Sequence, residues 1–201
     1  MTDTEQKAGT VVESATATPD VWLSWWTQYI DQNSRNTRNW DPAVRARLRR
    51  CHTWSDAMSI AEAHELARRV GVSPTTSPQS VVHVFNTARV LAHVKVHRRE
   101  TMMERAGAPP DGKRLSDDSM PLVSAVRYRR LLAAEPGDDL TDMVVRVLAQ
   151  LKGECNVSRL AKDLMMWTER TRIAWSFQYF GKTAGQRTDP ITFAPSPSDS
   201  E

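Results

Sequence analysis

Arginines recur along this chain on segments whose apolar residues repeat at helical spacing. Arg45, Arg47, Arg49 and Arg50 crowd one short stretch, where 45 and 49 share a helix face and 47 and 50 share another. Arg127, Arg129 and Arg130 fall together in RYRRLLA, beside Leu131 and Leu132, which must face inward. Arg146 and Lys152, Arg159 and Lys162, and Arg170 and Arg172 mark three later helical segments. His97, Arg98 and Arg99 end an earlier one. A guanidinium is a planar five-donor fork that matches phosphate oxygens. Helices built this way pack on one side and meet polyanion on the other. For any single arginine, a solvated face with scattered salt bridges is the better explanation.

The collective charge separates the two explanations. Lys and Arg total 27 against 24 Asp and Glu, a formal net charge of +3. Residues 1–31 hold five acids and one lysine, and residues 188–201 hold three acids and no base. That leaves 26 bases against 16 acids over residues 32–187. An excess of ten in the helical part is more than solvation requires. Contact with a nucleic-acid backbone uses such charge without reading sequence.

Other chemistries find less support. His93 and His97 stand four apart, as on one helix face, but a zinc site needs three or four ligands. Val94 stands where the zincin pattern requires Glu, so a polar helix face is expected and no metal. Cys51 and His52 are neighbours whose side chains diverge. No GxSxG elbow, GxGxxG turn or GxxxxGK[ST] phosphate loop is present, and no cofactor is implied. The pairs Asp117-Asp118 and Asp138-Asp139 sit at loop-to-helix boundaries, where acids favour the helix dipole. Trp22, Trp25, Trp26 and Tyr29 could stack bases, but at helical spacing they are expected in the core. The chain reads as a binding subunit and not as an enzyme.

The elements that position these residues are punctuated clearly. Residues 1–18 are expected to be a disordered leader and 183–201 a disordered Pro/Ser/Asp tail. Between them, Thr18-Pro19 opens a helix through Ile30, and Asp41-Pro42 opens AVRARLRR. Thr53 caps a helix running to Gly71, and Ser77-Pro78 starts a long one through His93 and on towards Met103. GAPPDGKR is a Gly/Pro-rich loop. Ser119 or Met120 opens the RYRRLL helix, and Asp138 caps TDMVVRVLAQLK, ending at Gly153. Asn156 caps VSRLAKDLMMW, and the last helix stops at Phe180 before Gly181. No window alternates with period two. The expected fold is all-α with no β-sheet, a bundle of seven to nine helices in two packed halves. Residues 19–106 form the first half, 107–118 the loop and 119–182 the second. Two unpaired cysteines, no leader of signal type and no apolar run of ~18 residues suggest a cytoplasmic chain without a membrane span.

Four stretches together resemble the CasB family, the small subunit of the type I-E CRISPR Cascade complex. They are ARLRRC (46–51), GKRL ahead of RYRRLLAAE, DMVVRVLAQLKGECNVSRLAKDLMMW, and WTERTRIAWSFQYF (167–180). The likeness runs in order over residues 20–181. It is looser from Ser55 to Ala108, and Met166-Trp167 stands where relatives often place two aromatics. The resemblance implies a non-catalytic helical protein, present as two copies beside the crRNA-bearing backbone of the complex. Its partners would be the other Cascade subunits, crRNA and target DNA, with its basic surface stabilising the R-loop. Carried onto this sequence, the family's nucleic-acid-facing positions are Arg49, Arg50, Arg129, Arg130, Arg146, Arg170 and Arg172, with Arg98 and Arg99 on the looser stretch. Two alternatives remain open at this level. One is a free-standing DNA-binding protein using Asp41–Gly71 as a helix-turn-helix; the other is a scaffold whose arginines meet acidic protein surfaces.

Overall fold

The computed structural model describes residues 20–32, 41–110 and 120–184. Among them are ten helices and one pair of two-residue strands. Helices α1 (Val21–Tyr29), α2 (Pro42–Arg50), α3 (Trp54–Ala57), α4 (Ala61–Arg69) and α5 (Pro78–Leu91) come first. Strand β1 (Val96–His97) and α6 (Met102–Ala106) follow. After the loop come α7 (Ala125–Ala133), α8 (Asp138–Gln150), β2 (Glu154–Cys155), α9 (Val157–Met165) and α10 (Glu169–Ala184). The leader, the tail beyond residue 184 and residues 111–119 of the loop lie outside the described residues.

Local chemistry accounts for most helix starts. The Asp41 carboxylate accepts from the Ala43 amide with Pro42 in the first turn, and Ser77 with Pro78 repeats the device on α5. Thr53 with Asp56 and Thr101 with Glu104 form capping boxes, and Asn156 caps α9. Several boundaries differ from expectation. The cap of α1 is Asp20, whose carboxylate accepts from the Trp22 and Leu23 amides. The helix expected from Thr53 to Gly71 is two helices, because Ser59 Oγ takes the Asp56 carbonyl and Ile60 restarts the chain. Helix α7 begins at Ser124, since Leu122 and Val123 donate to the Ala108 and Ala106 carbonyls and hold the preceding segment against α6. Gly137, not Asp138, caps α8, and α10 continues through Gly181 to Ala184.

The expectation of no β-sheet is corrected. After Leu91 the chain leaves the helix, and the Lys95 and Val96 amides donate to the Gly153 carbonyl at 2.7 and 3.2 Å. β1 and β2 then pair in parallel, Val96 with Glu154 and His97 with Cys155. Two residues per strand are too few for a period-two pattern to register in sequence. Gly153 has φ 76°, and a Cβ there would fall 2.9 Å from the His93 carbonyl oxygen, so this crossing needs glycine. His97 sits in β1 and therefore does not share a helix face with His93.

Helix α5 is the centre of the molecule and packs against α2, α3, α4, α8 and α9. Everything from Val84 to Leu91 is buried, including Asn86, Thr87 and Arg89. Trp22, Trp25 and Trp26 are buried too, with Trp25 Nε1 donating to the Glu62 carbonyl at 2.8 Å, so the Trp-rich helix is core. α6 packs on α10 and α1 on α9, so stretches before and after the 107–118 loop interleave in one hydrophobic cluster. Among the described residues no helix is long and apolar enough to cross a membrane.

Candidate nucleic-acid interface

Helices α7 and α8 lie side by side and leave a groove of about 280 Å³ between them. Leu131, Met143 and Val147 give it apolar walls, and Arg127, Arg130 and Arg146 border it. The convergence follows from helical spacing. Positions 127, 130 and 131 fall on one face of α7, and 143, 146, 147 and 150 on one face of α8. All three arginines are exposed. Arg127 donates to Gln150 Oε1 at 3.1 Å, while Arg130 and Arg146 have no acidic partner among the described residues. Arg127 stood in the RYRR cluster but outside the expected contact set; its i, i+3 relation to Arg130 was the available signal.

Arg49 opens onto a second cleft, of about 180 Å³, between α2, the end of α5 and α8. Arg89, His93, Thr141, Asp142 and Val145 also line it. Residues 142 and 145 lie on the α8 face next to that of 143 and 146, so α8 is a wall shared by both openings. Behind Arg49, its helix neighbour Arg45 is only 6% exposed and donates to the Ala92 and Val94 carbonyls at 3.0 and 3.3 Å. Burial, helped by Arg49, lowers its affinity for the proton, and Asp31 works in the opposite direction. Arg45 therefore closes the end of α5 and is a structural residue. Burial, then Arg49, Arg45 and Arg89, push the His93 imidazole down to about 4.

The remaining expected positions divide by what they touch. Arg50, Arg99, Arg129 and Arg170 are exposed, and Arg129 Nε reaches only the Ala125 carbonyl of its own helix. Arg98 is exposed but ion-paired with Glu154 at 3.1 Å, a carboxylate that Arg105 also holds at 3.0 Å. Arg172 is half-buried, with its guanidinium 5.5 Å from the Trp167 ring centre, and its Nε is buried without a hydrogen-bond partner among the described residues. The structure thus brings Arg130 and Arg146 into one groove and Arg49 onto the adjoining face. It leaves Arg98 and Arg172 engaged within the fold.

No curated protein matches this sequence. Among solved structures, the fold is similar to a chain of E. coli Cascade bound to a PAM-containing dsDNA target with a 32-nt spacer. The TM-score is 0.54 at 16% identity, covering 82% of this chain and 95% of that one, a likeness of fold. Residues 44–180 match the family model of the CRISPR-associated protein Cse2, a span that holds both clefts and every arginine named above. Cse2 is the CasB family under its other name. With its basic helical architecture and that match over most of its length, the chain belongs to the Cse2 family of CRISPR-associated proteins.

Proposed function

We propose that this chain is the non-catalytic small subunit of a type I-E RNA-guided surveillance complex. There it holds nucleic-acid backbone and stabilises the R-loop between crRNA and target DNA. Its partners are the other Cascade subunits, crRNA, target DNA and a second copy of itself. The observation that carries this reading is the grouping of Arg130 and Arg146 with Arg127 on one groove, with no acid among the described residues to neutralise the first two. R-loop formation exchanges one duplex for another of nearly equal stability, so a few backbone contacts suffice to tip it. Sequence reading is left to base pairing, and arginines along α2, α7, α8 and α10 act on phosphate without selecting bases.

The helix-turn-helix alternative has less support. Glu62 on α4 pairs with Arg47 of α2 at 3.3 Å and Glu65 with Arg69 of α4 at 2.9 Å, so these cations of the segment are already met by its own acids.

The test is the Arg130→Glu, Arg146→Glu double variant in the assembled complex, read as R-loop lifetime against salt. Each lost single-strand phosphate contact lowers the slope of log affinity on log salt by ~0.7. A shortened lifetime, a flatter slope and unchanged assembly support the reading. An unchanged lifetime and slope reject it. Assembly that resists nuclease but has no R-loop effect favours the scaffold.

A further inference from the structure

The Arg49 cleft has a feature that a general basic surface does not require. Two polar groups converge on it without partners. The exposed Arg49 guanidinium has neither ion pair nor side-chain hydrogen bond among the described residues. The His93 ring is half-buried on the cleft, and no hydrogen bond joins it to another described residue. Behind these two lie cations whose own donors are engaged elsewhere. Arg45 is bound to the Ala92 and Val94 carbonyls on either side of His93. Arg89, 4% exposed, donates to Asn86, Asp138 and the carbonyls of Cys51 and His52.

The groups that surround His93 are Arg45 and Arg49 from α2, Cys51 and His52 just beyond it, Arg89 on α5 and Asp142 on α8. Of these only Asp142 is acidic, and Asp138, next to the cleft lining, pairs with Arg89 as well. The Asp142 carboxylate is 3.7 Å from Arg89 and largely in solvent. Arg89 is answered by Asp138 and Asp142, and Arg45 feels Asp31, so on this cavity of about 180 Å³ Arg49 is the guanidinium left without an ion pair among the described residues. That leaves the Arg49 guanidinium available to an anion.

We propose that this cleft seats a single phosphodiester of a nucleic-acid backbone, with Arg49 and the His93 ring as its hydrogen-bonding groups. The inference rests on the reading of the chain as a backbone binder and names one place where a phosphate is taken in from the surface. Arg49 supplies a two-pronged donor at the mouth. His93 donates from one nitrogen when neutral and from both when charged. Burial first, then Arg49, Arg45 and Arg89, hold the ring down at about 4, and a seated anion offsets the charges, so occupancy raises the pH at which His93 takes its proton.

The experiment follows the His93 ring nitrogens of the full-length chain by NMR across pH. Buffers of equal ionic strength contain chloride alone, inorganic phosphate, or a short thymidine oligonucleotide. The expected result is a later loss of the His93 proton with phosphate, and with the oligonucleotide at lower concentration, both abolished by Arg49→Gln. In the assembled complex, Arg49→Gln should flatten the R-loop salt slope by up to ~0.7. A His93 titration that is the same in all three buffers overturns the inference. A response to inorganic phosphate but not to the oligonucleotide overturns the assignment to a backbone phosphate. If Arg49→Gln keeps the parent salt slope while Arg130→Glu, Arg146→Glu loses it, the cleft assignment fails and backbone binding stands. If none of these variants changes the slope, both fail.

Discussion

Arg89 and Asp138 meet at 2.5 Å across 49 residues of chain, one 4% exposed on α5 and the other in the first turn of α8. The pair does more than neutralise charge. Asp138 Oδ1 also accepts from the Trp54 amide at 3.0 Å, and Arg89 holds the Cys51 and His52 carbonyls between α2 and α3. One guanidinium therefore fixes four helices at the wall of the Arg49 cleft. Asp138→Ala leaves a buried cation with only Asn86, two carbonyls and the distant Asp142. Losing one partner of such a pair costs about 3–5 kcal/mol when fully buried. Because Asp138 is partly exposed, about 3 kcal/mol is expected. Urea denaturation measures it, and a loss below 1 kcal/mol would show that Asp142 takes over.

The groove arginines should differ in weight from the paired ones. Arg98 already has Glu154 as its counterion, so releasing it for phosphate means breaking that pair. Arg130 and Arg146 have no such competitor among the described residues. Single alanine substitutions at Arg130 or Arg146 should each shorten the R-loop lifetime more than Arg98→Ala does. Competition binding at two salt concentrations gives the ranking, and an equal effect at all three positions would remove the groove's special role.

Asp163 offers a pH prediction with a definite sign. Burial pushes its carboxyl above the ordinary aspartate range, against the hydrogen bond from Trp175 Nε1 at 2.7 Å and the charge of Arg159. The folded chain thus holds this proton more tightly than the unfolded chain. That contribution is complete at acid pH and is lost as pH rises through the folded value. Asp163→Asn keeps an acceptor for Trp175 without a charge to desolvate. Its stability relative to the parent should be near zero at the acid end and should grow in its favour above the ordinary aspartate range. The opposite trend in thermal melts would mean that the carboxylate is net stabilised.

Trp175 itself is 1% exposed and meets Trp167 edge-on at 4.8 Å. Trp175→Ala should cost about 3–5 kcal/mol, the range for truncating a buried aromatic. A smaller loss in denaturant titration would mean that α10 repacks over the gap.

Two glycines make a contrasting pair. A Cβ on Gly107 would run into the Tyr179 carbonyl, where α6 meets α10, whereas one on Gly181 within α10 would meet nothing within 4 Å among the described residues. Gly107→Ala should destabilise by about 1–3 kcal/mol through overpacking. Gly181→Ala should stabilise by about 0.5–1 kcal/mol, since alanine loses less backbone freedom in a helix. Melting temperatures moving in opposite directions would confirm both, and a shared direction would refute the placement of one.

What the sequence determined by itself is what neighbouring residues settle. Caps at Asp41, Thr53, Ser77 and Asn156, and the inward faces at Leu131, Leu148 and Leu164, depend on groups within four positions of each other. These are the interactions that hold in one helix before any packing. The i, i+3 relation of Arg127 and Arg130 is of the same kind, and half of the groove was legible in it.

The rest was decided only by the tertiary structure, because it depends on partners far along the chain. Arg45 and Arg49 look alike in sequence, yet Arg45 closes α5 at residues 92 and 94 and Arg49 faces the cleft. Arg98 is distinguished from Arg99 only by Glu154, brought alongside through the β1–β2 pairing. Which arginines remain available to phosphate is a remainder, set once packing has consumed the others. No local pattern encodes that remainder, since a guanidinium is satisfied by whichever carbonyl or carboxylate the fold delivers to it.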